Sequence, residues 1–503
     1  MNLFSKKSLI GFTVLIFCLS ASSAHSYTNI AVNADGTPIK FQVSGTGQLV
    51  LTWNPEAGPV QDTTSIHDFS ASTYDEFLAY CGGGGGSGDG GGGCSMNPLL
   101  NDAMAASAVT NAEGIALINS AFAVWDNEAT DANVSYVQGA SLGSSVDVCN
   151  YADYIDSAIS QFAIDGDAND PRVCGCLGTC SLPCNNPVIF DSNGDITALE
   201  AGEGNRYSVL GSAGPVIWPG VNYILKFEAI INGVCLDDSP AAGCGGVSIS
   251  NDELLSVMVH ELGHAQGLGH SQVNPKSIGY TPALADPYEL EGSAYVISDA
   301  TWGLNGAVPT MYPFLVTGAT QSSLMMDDKI GLAHLYPAST FTSNYCTLQG
   351  NVYTGVSGLR CVEVVFRDST SQVLNAVSVI SGGEAANTGR GGIPVTTTPW
   401  WTATANPGTN ACDDTNDNCG KYTVNVPAGK TYNIEVNAIP NLDPGSSIGP
   451  CASNPQFTGV NQTGTNSWTL PQAATQVVCG AGGTTITSVG DPDLAITTVL
   501  SPL

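Results

Sequence analysis

Residues 250–270 have the pattern of an amphipathic helix that ends in a turn. Ser250, Asn251 and Asp252 supply capping side chains, and acidic residues in the first turn suit the positive end of the helix dipole. Apolar residues follow at helical spacing: Leu254, Leu255, Val257, Met258 and Leu262. Gly267 adopts positive φ without a steric cost. We therefore predict a helix that stops at a turn around Gly267.

Other segments before residue 340 predict alternating strands and helices. Leu49–Trp53 is typical of a first strand, and 224–230 alternates like a strand of a mixed sheet, which we place at the sheet edge. A helix is predicted where Ile115, Ile118, Phe122 and Trp125 recur at helical spacing. The segments before residue 340 therefore predict a domain that contains both helices and strands.

The composition changes after Pro337. Residues 345–490 are rich in Val, Thr, Tyr, Gly and Asn, with short strands predicted at 348–353 and 362–366. Residues 420–439 predict two strands joined by a Pro-Ala-Gly turn. This pattern indicates an all-β sandwich, followed by a tail at 491–503.

The predicted helix carries three histidines and a glutamate in one short motif. His260 and His264 are one helical turn apart and share a face, and the turn at Gly267 lets His270 return toward them. Three protein ligands leave a fourth zinc position open for water, which distinguishes catalytic from structural sites. Glu261 is then the candidate general base. Since the chain has only 6 histidines, this clustering favours a zinc site over ordinary core or surface histidines.

The extended motif resembles that of the metzincin metalloproteases, HExxHxxGxxH followed by a Met-turn. Met311 opens the tripeptide Met-Tyr-Pro, which is similar to the matrixin form of that turn, as is Ser271 after the third histidine. The stretch 324–337 is similar to the last helix of matrixin catalytic domains, with Asp327 expected as its N-cap. The resemblance covers most of residues 40–340.

This resemblance implies roles and boundaries. Met311 would form an apolar floor beneath the zinc, and Tyr312 would not be a ligand. Residues 25–340 would be an α+β protease domain, with a twisted mixed sheet, an active-site helix, a C-terminal helix, and Gly-rich and Cys-rich insertions. The sandwich resembles modules of the carboxypeptidase-regulatory type. The long stretch between His270 and Met311 leaves the substrate preference open.

The N-terminus predicts export. Residues 1–24 combine a basic start, an apolar run and small residues ending at Ala24, which is typical of a cleaved signal peptide. No later stretch is long and apolar enough to cross a bilayer, so no membrane insertion is expected. The interpretation is a secreted, extracellular protein, expected to be a monomer.

Cysteine usage agrees with an oxidising compartment. Of 16 cysteines, one lies in the leader, which leaves an odd number for disulfides. Local pairs such as Cys81–Cys94 and Cys412–Cys419 are plausible, and the cluster between Cys174 and Cys184 is interpreted as disulfides rather than a zinc knot. The segment around Cys174 also resembles the matrixin latency switch, although Val173 interrupts that pattern.

The net charge of −31, with only 13 basic residues, disfavours nucleic acid and anionic membranes as partners. The carboxylates suggest structural Ca²⁺, with Asp191, Asn193 and Asp195 as the best candidate ligands and 165–170 as a second loop. Solvated turns explain both loops equally well. Matrixins usually carry calcium and a second, structural zinc. The other histidines are widely scattered, so we expect no second zinc.

The function predicted from these features is a secreted zinc-dependent endopeptidase acting on protein or peptide substrates. Two alternatives remain open. One is a non-catalytic adhesin or surface-binding protein with a vestigial zinc domain, which the intact Glu261 disfavours. The other is a narrow processing protease with one protein partner.

Overall fold

The computed structural model describes the chain in segments. They are residues 31–32, 39–43, 47–56, 111–129, 131–142, 146, 150–155, 172–217, 223–234, 249–271, 308–312, 315, 321–354, 357–358, 362–370, 376–380, 393–394, 421–438, 475–483, 485–486 and 494–495. Several sequence predictions fall outside these residues. They are the leader at 1–24, the pairs Cys81–Cys94 and Cys412–Cys419, the loop at 165–170 and most of the tail at 491–503.

The chain up to residue 340 contains both strands and helices. The strands are β1 (Ala31–Val32), β2 (Leu49–Pro55), β3 (Val134–Gln138), β4 (Pro187–Asp191), β5 (Gly211–Ile217) and β6 (Ile224–Asn232). The helices are α1 (Asn111–Glu128), α2 (Cys174–Leu177), α3 (Asp195–Ala201), α4 (Asn251–Ala265) and α5 (Met326–Leu335), with 3-10 turns at Tyr151–Asp153 and Glu203–Asn205. The strand predicted at 49–53 and the helix predicted around Trp125 are both present.

Five of these strands form one mixed sheet in the order β3-β2-β4-β6-β5. The β2–β3, β2–β4 and β4–β6 pairs are parallel, and β5 runs antiparallel to β6. The prediction that β6 lies at the sheet edge is wrong, because β5 pairs with its outer side and forms the edge of the described sheet. The sequence of β5 contains two glycines and Pro215, so it lacks the alternating apolar residues that predict a strand. Proline is tolerated on an edge strand, where its missing N–H costs no ladder bond.

Helices α1 and α4 pack together against this sheet. The Trp125 indole N–H donates to the Val259 carbonyl at 2.9 Å, so it joins the two helices inside the core. The largest cluster of buried apolar side chains includes Trp53, Phe122 and Trp125 together with most of the apolar face of α4. Burial of this face holds the helix that carries the histidine motif.

The C-terminal part is built almost entirely of strands. Its elements are α6 (Phe341–Asn344), β7 (Tyr345–Thr354), β8 (Ser357–Gly358), β9 (Val362–Asp368), β10 (Ala376–Ile380), β11 (Ile393–Pro394), β12 (Lys421–Pro427), β13 (Lys430–Ala438), β14 (Thr475–Cys479), β15 (Thr485–Ile486) and β16 (Leu494–Ala495). One sheet has the antiparallel order β10-β9-β13-β14. The other has the order β12-β7-β15, and β8 and β16 also pair with β7. The short β1 and β11 pair in parallel.

These two sheets share one apolar core, as a sandwich requires. Leu348 and Val424 contribute from one sheet, and Phe366 and Ile434 from the other. The predicted turn between β12 and β13 is present, with Gly429 at φ 76°. The two strands it joins enter different sheets, so this turn crosses the sandwich instead of closing a hairpin.

Helix α5 belongs to both cores. Met326 and Ile330 pack into the C-terminal cluster, whereas Leu332 and Leu335 pack into the cluster around the mixed sheet. The helix begins at Met326, so Asp327 lies inside the first turn and the prediction that it is the N-cap is wrong. Asp328 serves the helix start instead, because its carboxylate accepts the Met325 N–H at 2.9 Å.

Three cysteine pairs are at disulfide distance among the described residues. Cys174–Cys180 and Cys176–Cys184 lie in the Cys-rich segment, as predicted in preference to a zinc knot. Cys346–Cys479 joins β7 to β14, and the sequence did not reveal it. Such pairs are compatible with an extracellular protein. None of the described helices has both the length and the apolar character needed to cross a lipid bilayer.

Candidate metal centre

The start of α4 fixes the position of the first two histidines. Ser250 is the N-cap, and its hydroxyl accepts the Glu253 N–H while the Glu253 carboxylate accepts the Ser250 N–H. This reciprocal capping box satisfies two N–H groups that a helix start otherwise leaves without partners. From that start, His260 and His264 project from one face of the helix, four residues apart.

The turn after α4 brings the third histidine to the first two. Gly267 has φ 99°, and the Leu268 N–H donates to the Gly263 carbonyl at 3.0 Å. A residue with a Cβ is strained at this φ, so glycine at 267 lets the helix end abruptly. The chain then reverses and His270 points back toward α4.

The three Nε2 atoms converge on one point. His264 Nε2 lies 3.1 Å from His260 Nε2 and 3.0 Å from His270 Nε2. Zinc–nitrogen bonds in tetrahedral geometry place neighbouring ligand nitrogens about 3.3 Å apart. Within the described part of the chain, these three side chains are the one group of three or more His, Cys, Asp or Glu whose ligand atoms lie together.

The outer nitrogens show why a cation fits this point. His260 Nδ1 lies 2.6 Å from the Thr310 carbonyl, and His264 Nδ1 lies 2.7 Å from the Leu268 carbonyl. A carbonyl only accepts, so both Nδ1 atoms carry the proton and both Nε2 atoms present lone pairs. Two lone pairs that face each other at 3.1 Å repel. A bound metal ion turns this repulsion into attraction, and the Nδ1 bonds orient the rings as metal-ligating histidines require.

Burial keeps these imidazoles in the form that binds metals. All three side chains are at most 2 % exposed. Burial lowers the pKa of His264 to about 4, and burial with the neighbouring histidines lowers the pKa of His260 and His270 well below 6.5. At neutral pH the cluster therefore offers three neutral nitrogen ligands.

Met311 packs beneath the ligand helix. A Cβ built on Gly263 would lie 2.2 Å from the Met311 sulfur and 3.0 Å from the Trp125 ring. Glycine at this position therefore lets Met311 approach the backbone of α4 between the two ligands. Met311 is 2 % exposed, a packing position that fits the expected apolar floor.

Asp328 holds the Met311 segment in place. Its two carboxylate oxygens accept the N–H groups of Thr310 and Met311 at 2.9 and 3.0 Å. Burial raises the pKa of Asp328 to about 6, against the opposing effect of its bonds from backbone N–H groups. The carboxylate is therefore largely ionised at neutral pH. The Thr310 carbonyl accepts from His260 Nδ1, so Asp328 helps to orient His260 by holding Thr310.

The Glu261 side chain extends from the ligand helix α4 toward the edge strand β5. This side chain is 0 % exposed. A Cβ built on Gly211, the first residue of β5, would lie 2.7 Å from Glu261 Cγ and 3.0 Å from both Cδ and Oε1. Glycine at 211 thus leaves the space that the Glu261 side chain fills. The candidate base is placed against the edge strand of the mixed sheet.

The candidate calcium loop has its carboxylates directed at other donors. Asp191 accepts the N–H groups of Ile196 and Thr197 at 3.1 and 2.7 Å, at the start of α3. Asp195 pairs with the guanidinium of Arg206 at 2.5 Å, and both side chains are buried. In this geometry Arg206 supplies the positive charge that calcium was expected to bring. Calcium binding at Asp191, Asn193 and Asp195 stays a prediction.

Several residues of the centre were not found from the sequence. Gly211 and Gly263 make room for Glu261 and Met311, and the carbonyls of Thr310 and Leu268 orient two ligands. Main-chain acceptors and close approaches leave no compositional signal, and Gly263 occupies a position that the histidine motif leaves unspecified. Cys174, the candidate latency cysteine, is bonded to Cys180 in this structure.

Comparison with known proteins adds no relative. No protein-family model matches the chain, and no curated protein matches it. The class of site therefore follows from the residues alone. It is a buried three-histidine cluster that could hold a metal ion, compatible with a zinc metalloprotease motif, in a chain with a five-stranded mixed sheet and further sheets whose longer strands pair antiparallel.

Proposed function

We propose that this chain is a secreted zinc-dependent endopeptidase of the metzincin type, similar to the matrixins, that hydrolyses peptide bonds of extracellular proteins. The observation that carries the proposal is the convergence of three buried Nε2 atoms, with the buried Glu261 next to His260 in the chain. Three ligands leave a zinc ion one open coordination position, as hydrolytic zinc sites require.

His260, His264 and His270 would hold the zinc, and the Nδ1 hydrogen bonds of His260 and His264 would keep those two rings aligned. When bound, zinc lowers the pKa of a water molecule and polarises the scissile carbonyl. Glu261 accepts the proton of the attacking water and then delivers it to the leaving amine. Its burial against Gly211 limits the positions that the carboxylate can take.

The edge strand gives the proposal a substrate geometry. Glu261 packs against Gly211 at the start of β5, and β5 is the outer strand of the described sheet. An extended peptide would pair with this edge through its main chain only after the edge is opened to solvent, because all seven residues of β5 are buried in this structure. This mode of binding suits unfolded or loop segments of substrate proteins. Structural calcium remains a secondary part of the proposal.

The test uses the mature protein with unfolded casein, with and without a zinc chelator, beside Glu261→Ala. Asp252→Asn is the matched control, since it removes an exposed carboxylate from the same helix. We expect one bound zinc, chelator-sensitive cleavage in wild type and the control, and loss of cleavage in Glu261→Ala with zinc retained. Zinc binding without cleavage would favour a processing enzyme for one partner or a non-catalytic protein. Wild type without zinc would refute the proposal.

A further inference from the structure

One carboxylate connects the third histidine to the C-terminal sheets. Asp327 Oδ2 accepts the hydroxyl of Ser271, the residue that follows His270. Asp327 Oδ1 accepts the backbone N–H of Ser378 at 3.1 Å. Ser271, Asp327 and Ser378 are each at most 1 % exposed, so these bonds lie in the interior.

The contact at Ser378 uses the edge of a sheet. Strand β10 is the outer strand of the described order β10-β9-β13-β14. An edge strand has N–H groups that no neighbouring strand accepts, and a buried one must find another partner. Asp327 is that partner for Ser378. The Ser378 hydroxyl has no hydrogen-bond partner among the described residues, so the main chain alone makes this connection.

The helix that carries Asp327 is fixed from both sides. Met326 and Ile330 are part of the C-terminal core, and Leu332 and Leu335 are part of the core around the mixed sheet. The Asn425 side chain lies 3.0 Å from His334 Nδ1, which adds a polar contact between β12 and α5. A displacement of the C-terminal sheets relative to α5 would therefore disturb the bonds that Asp327 makes.

We propose that the C-terminal β-sandwich is a positioning element of the metal centre, acting through the path from Ser378 N–H to Asp327, Ser271 and His270. In this arrangement Asp327 fixes the chain directly after the third ligand and so sets the direction from which His270 approaches the metal. The inference rests on the zinc centre of the proposed function and is independent of whether the enzyme cleaves proteins. It makes Asp327 a positioning residue, since it touches neither metal nor substrate.

The test measures the zinc dissociation constant of the full-length protein by competition with a chromogenic chelator. Asp327→Ala removes both bonds and is expected to weaken zinc binding about tenfold, the lower end of the range for outer-shell partners. Ser378→Pro removes the N–H at an edge strand, where proline is tolerated, and should weaken zinc binding in the same direction. Ser378→Ala keeps the N–H and should bind zinc like wild type.

A second control separates positioning from general stability. Asp368→Asn removes a buried carboxylate of the same sandwich, which bonds Lys430 and Thr370 and has no part in the path to His270. It should lower the unfolding midpoint while the zinc affinity stays unchanged. The inference would be overturned if Asp327→Ala and Ser378→Pro both bound zinc with wild-type affinity. It would also be overturned if Asp368→Asn lost as much zinc affinity as those two variants. Wild type that binds zinc without cleaving casein would defeat only the proposed function, and wild type that binds no zinc would defeat both.

Discussion

Replacing Gly211 by alanine should displace the candidate base without touching the metal ligands. The nearest atoms to the new Cβ all belong to Glu261, and the closest, Cγ, would be 2.7 Å away. Carbon atoms in ordinary contact are about 3.5–4.0 Å apart, so the side chain must move by about 1 Å. A misplacement of about 1 Å costs a catalytic group about 100-fold in rate. We therefore expect Gly211→Ala to lower kcat about 100-fold, or about 2.7 kcal/mol in activation free energy.

The assay is steady-state cleavage of a fluorogenic peptide at saturating substrate, together with the zinc content of the purified protein. Gly480→Ala is the control, because nothing lies within 4 Å of its new Cβ. Zinc content should be unchanged in both variants, and kcat should fall only in Gly211→Ala. Full activity in Gly211→Ala would refute the positioning of Glu261 by this glycine. Joint loss of zinc and activity would also refute it, by showing that the strain reaches the ligands.

Three further changes test the packing beneath the ligand helix, a buried ion pair and a disulfide. Gly263→Ala should gain about 1 kcal/mol of helix propensity but lose about 1–3 kcal/mol to the clash with Met311. Thermal unfolding should therefore show a net loss of stability, and a stabilised variant would contradict this packing. Arg206→Met should cost about 3–5 kcal/mol in denaturant unfolding, because it leaves Asp195 as a buried unpaired charge, and the additional change Asp195→Asn should recover part of it. Replacing both cysteines of Cys346–Cys479 by alanine should cost about 4–5 kcal/mol for so long a loop, and a loss below about 1 kcal/mol would argue against this disulfide.

The sequence was most informative where structure is local. The apolar face of α4, the cap at Ser250 and the glycine at 267 are all encoded within twenty or so residues, so both the helix and its end could be predicted. The histidine spacing then follows from helical geometry alone. Helix α1 and strand β2 were found for the same reason, because each has an apolar pattern of its own.

The parts that escaped prediction depend on long-range contacts. Strand β5 lacks an alternating apolar pattern and is defined by its pairing with β6, so β6 was misplaced at the edge. Asp327 matches a helix cap in the sequence, but its carboxylate bonds residues from two distant segments. Arg206 pairs with Asp195 of the acidic loop, eleven positions earlier in the chain, and no local motif indicates this pair. The Cys346–Cys479 pair was missed because cysteine connectivity does not follow from spacing.

The metal centre itself also combines residues placed by local structure with residues placed by long-range contacts. Helix α4 alone places His260, Glu261 and His264, yet the orientation of His260 needs Thr310, and Thr310 needs Asp328 on a helix shared with the C-terminal core. The unfolded chain has none of these long-range contacts, whereas the folded chain sets two lone pairs 3.1 Å apart. A metal ion held by this cluster would therefore bind the folded chain far better than the unfolded one, and its binding free energy would add to the stability of the fold. Zinc at this point would join α4 to the turn that carries His270, as well as supply the chemistry of hydrolysis in the proposed function.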